Sequence, residues 1–259
     1  MTRARDGWRG WDDYAAFYDW ENAQTVQRRD VAFWQRLAAA ADGPGLELGC
    51  GTGRITVPVA RAGMDVIGID RSLPMLDRAG RRLRRAGLDD RALLVRGDIR
   101  HLPFRAARFP LVMAPYGILQ SLTRERDLAA TLSSVARVMR RGARFGIDLV
   151  PDLPRWAEYA SRKTLSGRMG RATTVSLVES VRQDRAKKLT IFDQRYVTTR
   201  AGTRRVHRFS LTFRTLSVRQ VTTRLERAGF RVDAVLGDYQ GGPWDDRADV
   251  WVILATKRR

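Results

Sequence analysis

The chain has 259 residues, 44% of them hydrophobic, with 48 lysines and arginines against 28 aspartates and glutamates and one cysteine. This composition excludes disorder, collagen-like repetition and a disulfide scaffold, and the lone Cys50 points to a reducing compartment. The net charge of +20 invites a nucleic-acid partner, but 44 of the 48 basic residues are arginine and they are spread along the chain, a skew that codon bias alone can produce. The densest cluster, Arg78, Arg81, Arg82, Arg84 and Arg85, reads as the solvated outer face of a helix. Apolar stretches such as 111–114 and 250–255 fall far short of the roughly 18 to 20 residues of a membrane span. No apolar core follows the first residues, so a cytoplasmic protein is expected.

Taken in order, residues 8–41 carry Trp8, Trp11, Tyr14, Phe17, Tyr18, Trp20, Phe33 and Trp34, and predict one or two amphipathic helices. The break at Asp42-Gly43-Pro44-Gly45 precedes a short strand at Leu46 and Leu48, a glycine-rich turn at 49–53 and a helix over 54–62. A buried-type strand at 65–70 and a helix over 73–86 follow, then strands at 93–96 and 109–114, a helix at 124–139 and a strand at 143–150. Strands alternating with helices predict a parallel sheet with helices on both faces. After Pro151-Asp152-Leu153-Pro154 the rhythm changes to three β-rich runs, 172–183, 188–199 and 204–215, which predict an inserted antiparallel meander. Ser217 then caps a helix reaching Ala228, Gly229 ends it, and strands at 231–236 and 249–255 complete the α/β unit.

The turn reads Glu47-Leu48-Gly49-Cys50-Gly51-Thr52-Gly53-Arg54. Glycines after a first strand let backbone amides and a helix N-terminus approach a ligand. A dinucleotide fingerprint needs a sixth-position glycine, where Arg54 stands, and a Walker loop needs Gly-Lys-Ser/Thr, which is missing.

With its acid-x-Gly-x-Gly-x-Gly form the turn resembles the first motif of the class I S-adenosylmethionine-dependent methyltransferases. Three further positions keep the register: Asp70 at the end of the second strand, 21 residues after Gly49; Gly97-Asp98-Ile99 after the third; and Ala114-Pro115-Tyr116-Gly117 after the fourth. The resemblance implies a Rossmann-like seven-stranded sheet, mostly parallel, plus the inserted meander. It divides the chain into an N-terminal helical lid at 1–42, a cofactor-binding α/β domain at 43–151 and 216–259, and an inserted β subdomain at 152–215. It implies S-adenosylmethionine as cofactor and S-adenosylhomocysteine as product.

By that resemblance Asp70 binds the ribose diol, Asp98 and Ile99 meet adenine, Pro115 lines the pocket, and Tyr14 and Tyr18 belong to the lid over the methionine end. Gly49, Gly51 and Gly53 form the cradle, with Glu47 orienting it through hydrogen bonds. Ser72 and Met75 follow Asp70 closely enough to flank the adenine, and Arg54 is placed to pair with the methionine carboxylate. Candidate bases are His101, Tyr116 and Tyr239, with His207 on the meander behind them.

The segment after the fourth strand lacks the Asn/Asp-Pro-Pro-Tyr/Phe of nucleic-acid amino methylases, and Cys50 is misplaced for a C5-methylating nucleophile. Together with Gly237-Asp238-Tyr239-Gln240-Gly241-Gly242-Pro243-Trp244, the insertion is similar to a bacterial small-molecule subgroup that includes sugar and amino-acid N-methyltransferases. The expected function is N- or O-methylation of a small molecule. The alternatives are an RNA methyltransferase, suggested by the charge, and a non-catalytic S-adenosyl ligand-binding protein. No membrane or metal partner is expected, since Asp12-Asp13 and Asp245-Asp246 with Asp249 read as turn and capping residues. The free edge of the inserted sheet offers a homodimer contact.

Overall fold

The structure is a computed structural model describing residues 10–25, 29–150, 158–245, 247–248 and 250–258. Trp8, Asp246, Asp249 and the 151–154 break lie outside the described residues. Two helices, α1 (Trp11–Thr25) and α2 (Val31–Ala39), precede the alternating segment. That segment comprises β1 (Gly45–Leu48), α3 (Thr56–Arg61), β2 (Val66–Asp70), α4 (Leu73–Ala86), β3 (Ala92–Arg96), β4 (Phe109–Ala114), α5 (Glu125–Val138) and β5 (Met139–Leu149). Four strands follow, β6 (Tyr159–Met169), β7 (Thr173–Asp184), β8 (Leu189–Arg200) and β9 (Thr203–Arg214), and then α6 (Val218–Arg227), β10 (Phe230–Leu236) and β11 (Trp251–Lys257).

Seven strands form one sheet in the order β10-β11-β5-β4-β1-β2-β3. β11 runs antiparallel to both of its neighbours, while the other pairs are parallel. Alternation along the strands feeds two cores. In β4, Val112 and Ala114 join Leu128, Leu132 and Val135 of α5 and Leu225 of α6, whereas Leu111 and Met113 join Trp34 and Leu37 of α2 and Val57 of α3. Helix ends are set by local chemistry: the Ser72 hydroxyl accepts the Met75 amide at the start of α4, left-handed Gly87 ends that helix, and Ser217 with Gln220 forms a capping box on α6. No helix among the described residues is long and apolar enough to cross a membrane.

The second sheet is antiparallel, in the order β6-β7-β8-β9. It has one strand more than the meander expected from sequence. β6 was hidden because it is an edge strand, exposed along most of its length, so its burial leaves no alternating pattern. The expected helix at 54–62 begins only at Thr56, because the glycine turn extends through Arg54. The inner face of the small sheet does not pack on the large one. It packs on α1: Tyr14 and Phe17 share a core with Val175, Leu177, Tyr196 and Leu211, and Met75 of α4 closes it from the other side. Phe17 stacks on Tyr196 with ring centroids 4.4 Å apart.

Candidate active site

A cleft of about 560 Å³ opens at the carboxyl ends of β1, β2, β3 and β4, where parallel α/β sheets place their ligands. Its floor is the glycine turn. Gly49, Gly51 and Gly53 all adopt left-handed φ angles of 61°, 53° and 79°. Their reasons differ. A Cβ on Gly49 would lie 2.4 Å from Ile118 Cδ1, and one on Gly53 would press on Ala79 and Val57 at 3.2 Å. A Cβ on Gly51 would meet only the Gly49 carbonyl, at 4.0 Å, so the absent side chain leaves backbone open to the cleft.

Asp70 stands at the rim. Its Oδ2 accepts the Gly51 amide at 2.9 Å and its Oδ1 accepts the Ser72 amide at 2.8 Å. Each oxygen keeps a lone pair, which suits a vicinal diol. Burial raises the carboxyl above its ordinary value, and the amides of Ser72, Gly51 and Arg71 oppose that rise. Beneath the turn, Glu47 is buried, accepts the Thr56 hydroxyl, and is pushed up to about 8 by desolvation. That hydrogen bond ties the end of β1 to the residue that opens α3.

Ser72, Met75, Ile99, Pro115 and Tyr18 also line the cleft. Asp98 lines it too, but both of its oxygens are engaged by the Arg100 guanidinium, Oδ1 by Nε at 3.1 Å and Oδ2 by Nη2 at 2.7 Å. Burial would raise this carboxyl, and the hydrogen bonds from Arg100 hold it below its usual range. Tyr116, 44% exposed, has a φ of 59°, an outlier for a bulky residue. The following Gly117 amide is anchored at 2.9 Å on Asp148 Oδ1, which keeps this strained turn in place. An ordinary phenol is neutral near pH 7, so Tyr116 is placed as a donor and not as a base.

Other expectations are corrected by the geometry. Tyr14 does not reach the cleft: its hydroxyl donates to Glu21, which also accepts Tyr196, and its ring packs 5.3 Å from Phe209. His101 ends a short 3-10 turn with its side chain exposed outside the cleft. Tyr239 points into the core beside Phe33 and donates to Asp148 Oδ2 at 2.8 Å. His207 packs against Phe17 on the small sheet. Arg54 does line the cleft, but the carboxylate it holds is the protein's own, Asp30, gripped at 2.9 and 2.6 Å, with its guanidinium 4.9 Å over the Tyr116 ring. Cys50 is buried and burial pushes its thiol up, so it is no nucleophile.

Local patterns did not announce the tertiary partners. Trp11, Asp12 and Asp13, the last two taken for turn residues, form part of the cleft wall, as does Phe213 from β9. Nor is the arginine cluster wholly solvated. Arg82 and Arg78 reach Asp19 at 2.9 and 3.4 Å, and Asp19 accepts the Thr52 hydroxyl at 2.6 Å, which ties α1 to α4 and to the glycine turn. The one legible hint for Asp148 was its place at the end of a parallel strand, like that of Asp70.

The cleft fits S-adenosylmethionine: the rim carboxylate suits the ribose hydroxyls, Met75 and Ile99 offer apolar surface for a flat base, and the bare backbone at Gly51 permits close approach.

Known proteins agree with this geometry. Residues 46–142 match the methyltransferase domain family. The demethylmenaquinone methyltransferase of Lactiplantibacillus plantarum is 40% identical over 102 residues, 38% of this chain and 41% of that protein, so the chain spans about two-fifths of that relative's length. The cypemycin N-terminal methyltransferase of a Streptomyces species is 26% identical over 213 residues, 82% of each chain. The solved sugar N-methyltransferase KedS8 of a Streptoalloteichus species superposes with a TM-score of 0.76, at 17% identity over 93% of both chains. Residues 46–142 are thus similar to the methyltransferase domain family, and the chain has the fold of solved S-adenosylmethionine-dependent methyltransferases.

Proposed function

We propose that the protein is an S-adenosylmethionine-dependent methyltransferase acting on a small-molecule acceptor. The observation that carries the reading is Asp70, held by the Gly51 and Ser72 amides with both oxygens at the rim of a cleft floored by the glycine turn. When bound, S-adenosylmethionine supplies an electrophilic methyl group on a sulfonium. The chain's own residues bind and orient. Asp70 takes the ribose hydroxyls, Ser72, Met75 and Ile99 border the base, and Gly49 and Gly51 present backbone to the amino-acid tail, while Gly53 lets the turn pack on α3 and α4. Arg54, fixed by Asp30, stands in the cleft wall beside the glycine turn and offers N–H groups, not net charge, to the tail.

Tyr18, Trp11 and Phe213 wall the cleft from α1 and the small sheet, and exclude water from the transfer. The acceptor lies between that wall and Tyr116, whose phenol serves as a donor to the acceptor. The protein contributes alignment for an in-line displacement. A cleft of this volume is in the range of small-molecule sites, and a relative named as the cypemycin N-terminal methyltransferase aligns with most of the chain. The buried, unpaired Cys50 suits a cytoplasmic location.

The test offers methyl-labelled S-adenosylmethionine and purified protein to a low-molecular-weight cell extract and, in parallel, to bulk RNA. Label in the small-molecule fraction is expected, with mass spectrometry naming the acceptor. Label in RNA alone overturns the substrate class, and cofactor binding without transfer to either pool favours a ligand-binding protein.

A further inference from the structure

The outer face of the small sheet is exposed and ordered by charge. Strand register places its outward residues in three adjacent rows across the four strands. One row is Arg168, Thr174, Thr199 and Arg204; the next is Ser166, Ser176, Val197 and Val206; the third is Lys163, Val178, Arg195 and Arg208. Five cations therefore flank an uncharged middle row in which Val206 is 41% exposed. None of the five forms a salt bridge among the described residues; the acid pairing on this face is Asp193 with Arg182, beyond the third row.

Rows two residues apart along a strand are separated by about 6.7 Å, so the two cationic rows lie about 13 Å apart. An α-helix with its side chains is about 10–12 Å across and fits between them. Four strands make a platform about 14 Å wide, the length of roughly two and a half helical turns.

We propose that this face docks an acidic amphipathic helix of a partner protein, laid across the strands with its apolar stripe on Val197 and Val206 and its carboxylates against the flanking arginines. Charge complementarity selects this occupant. A second copy would set like charges against each other. Single-stranded nucleic acid needs aromatic platforms, and the sheet's aromatics Tyr196, Phe209 and Phe213 belong to the inner core. An uncharged valine and serine row between cations is of no use for tracking phosphates, but it seats leucines.

The test uses the full chain and a fluorescent synthetic helix of about 16 residues, with leucines at i, i+3, i+4 and i+7 and glutamates on both flanks. A scrambled peptide of identical composition and an RNA duplex serve as comparators. The helix is expected to bind at least about tenfold more tightly than the scrambled peptide. Val206→Asp and the charge reversals Arg195→Glu and Arg208→Glu should each weaken binding about tenfold. Arg141→Glu, on β5 of the other sheet, should leave it unchanged. Circular dichroism melts confirm that each variant is folded. Equal binding of the two peptides, no binding, or an RNA duplex that binds more tightly than the helix and loses affinity in the same variants overturns the proposal; the last outcome would make the face a phosphate-binding surface.

Discussion

At Asp70 one carboxylate staples the glycine turn to the start of α4 and keeps its remaining lone pairs at the cleft rim, where the proposed function gives them to a diol. Each hydrogen bond to a charged group contributes about 1.5–3 kcal/mol. Asp70→Ala is therefore expected to weaken S-adenosylmethionine binding by at least about tenfold, read by calorimetry, with the far-ultraviolet circular dichroism spectrum retained. An unchanged affinity would remove Asp70 from the cofactor site. Asp148 makes the opposite bargain with solvent. Burial lifts its carboxyl from 3.8 to about 6, against the Gly117 amide and Tyr239 hydroxyl that favour its charged form. A raised folded-state value means that its contribution to stability is fully present below pH 3.8 and is lost as pH rises through about 6. A shift of this size corresponds to about 3 kcal/mol. Asp148→Asn cannot titrate, so its stability relative to the native protein should improve steadily between pH 4 and pH 7, as measured by urea unfolding across that range. A difference that does not change with pH would show that Asp148 does not carry this load.

Elements were legible in the sequence where their signals are local. The helix at 73–86 and the strand at 109–114 are found with the boundaries expected, because a hydroxyl cap, a terminal glycine and an unbroken apolar run lie within a few residues of one another. The glycine turn and Asp70 were legible for the same reason: covalent spacing fixes them. Asp30 beside Arg54, Asp19 beside Thr52 and Glu21 beside Tyr14 were not, since in each case a helix supplies a polar group whose value depends on what packs against it. The misplacement of Tyr14 follows from the helix period. Tyr14 and Phe17 turn toward the small sheet while Trp11 and Tyr18 reach the cleft, a division that residue type alone cannot reveal. Phe17→Ala should cost about 3–5 kcal/mol and, by loosening α1, should also weaken cofactor binding. A melting temperature that falls while cofactor affinity stays constant would show that α1 is no part of the binding wall.

Across the whole molecule, the fold class was readable because alternating helix and strand patterns leave few topologies open. The excess of arginine, by contrast, divides among several duties that a net charge cannot separate. Arg54 and Arg82 brace the cleft, Arg214 and Arg224 hold Glu125 between α5 and the end of the small sheet, and the outer face of that sheet collects others with no acid opposite. The most far-reaching arrangement is the position of α1, which has the small sheet's core on one side and the cleft on the other. On the proposed function, acceptor choice is then not a detachable part. A β insertion transplanted from a relative would arrive without the helix that its inner face was shaped to cover, and would leave the pocket one wall short. Recombination that respects function must move α1 and the small sheet together, although more than a hundred residues of α/β domain separate them in the chain.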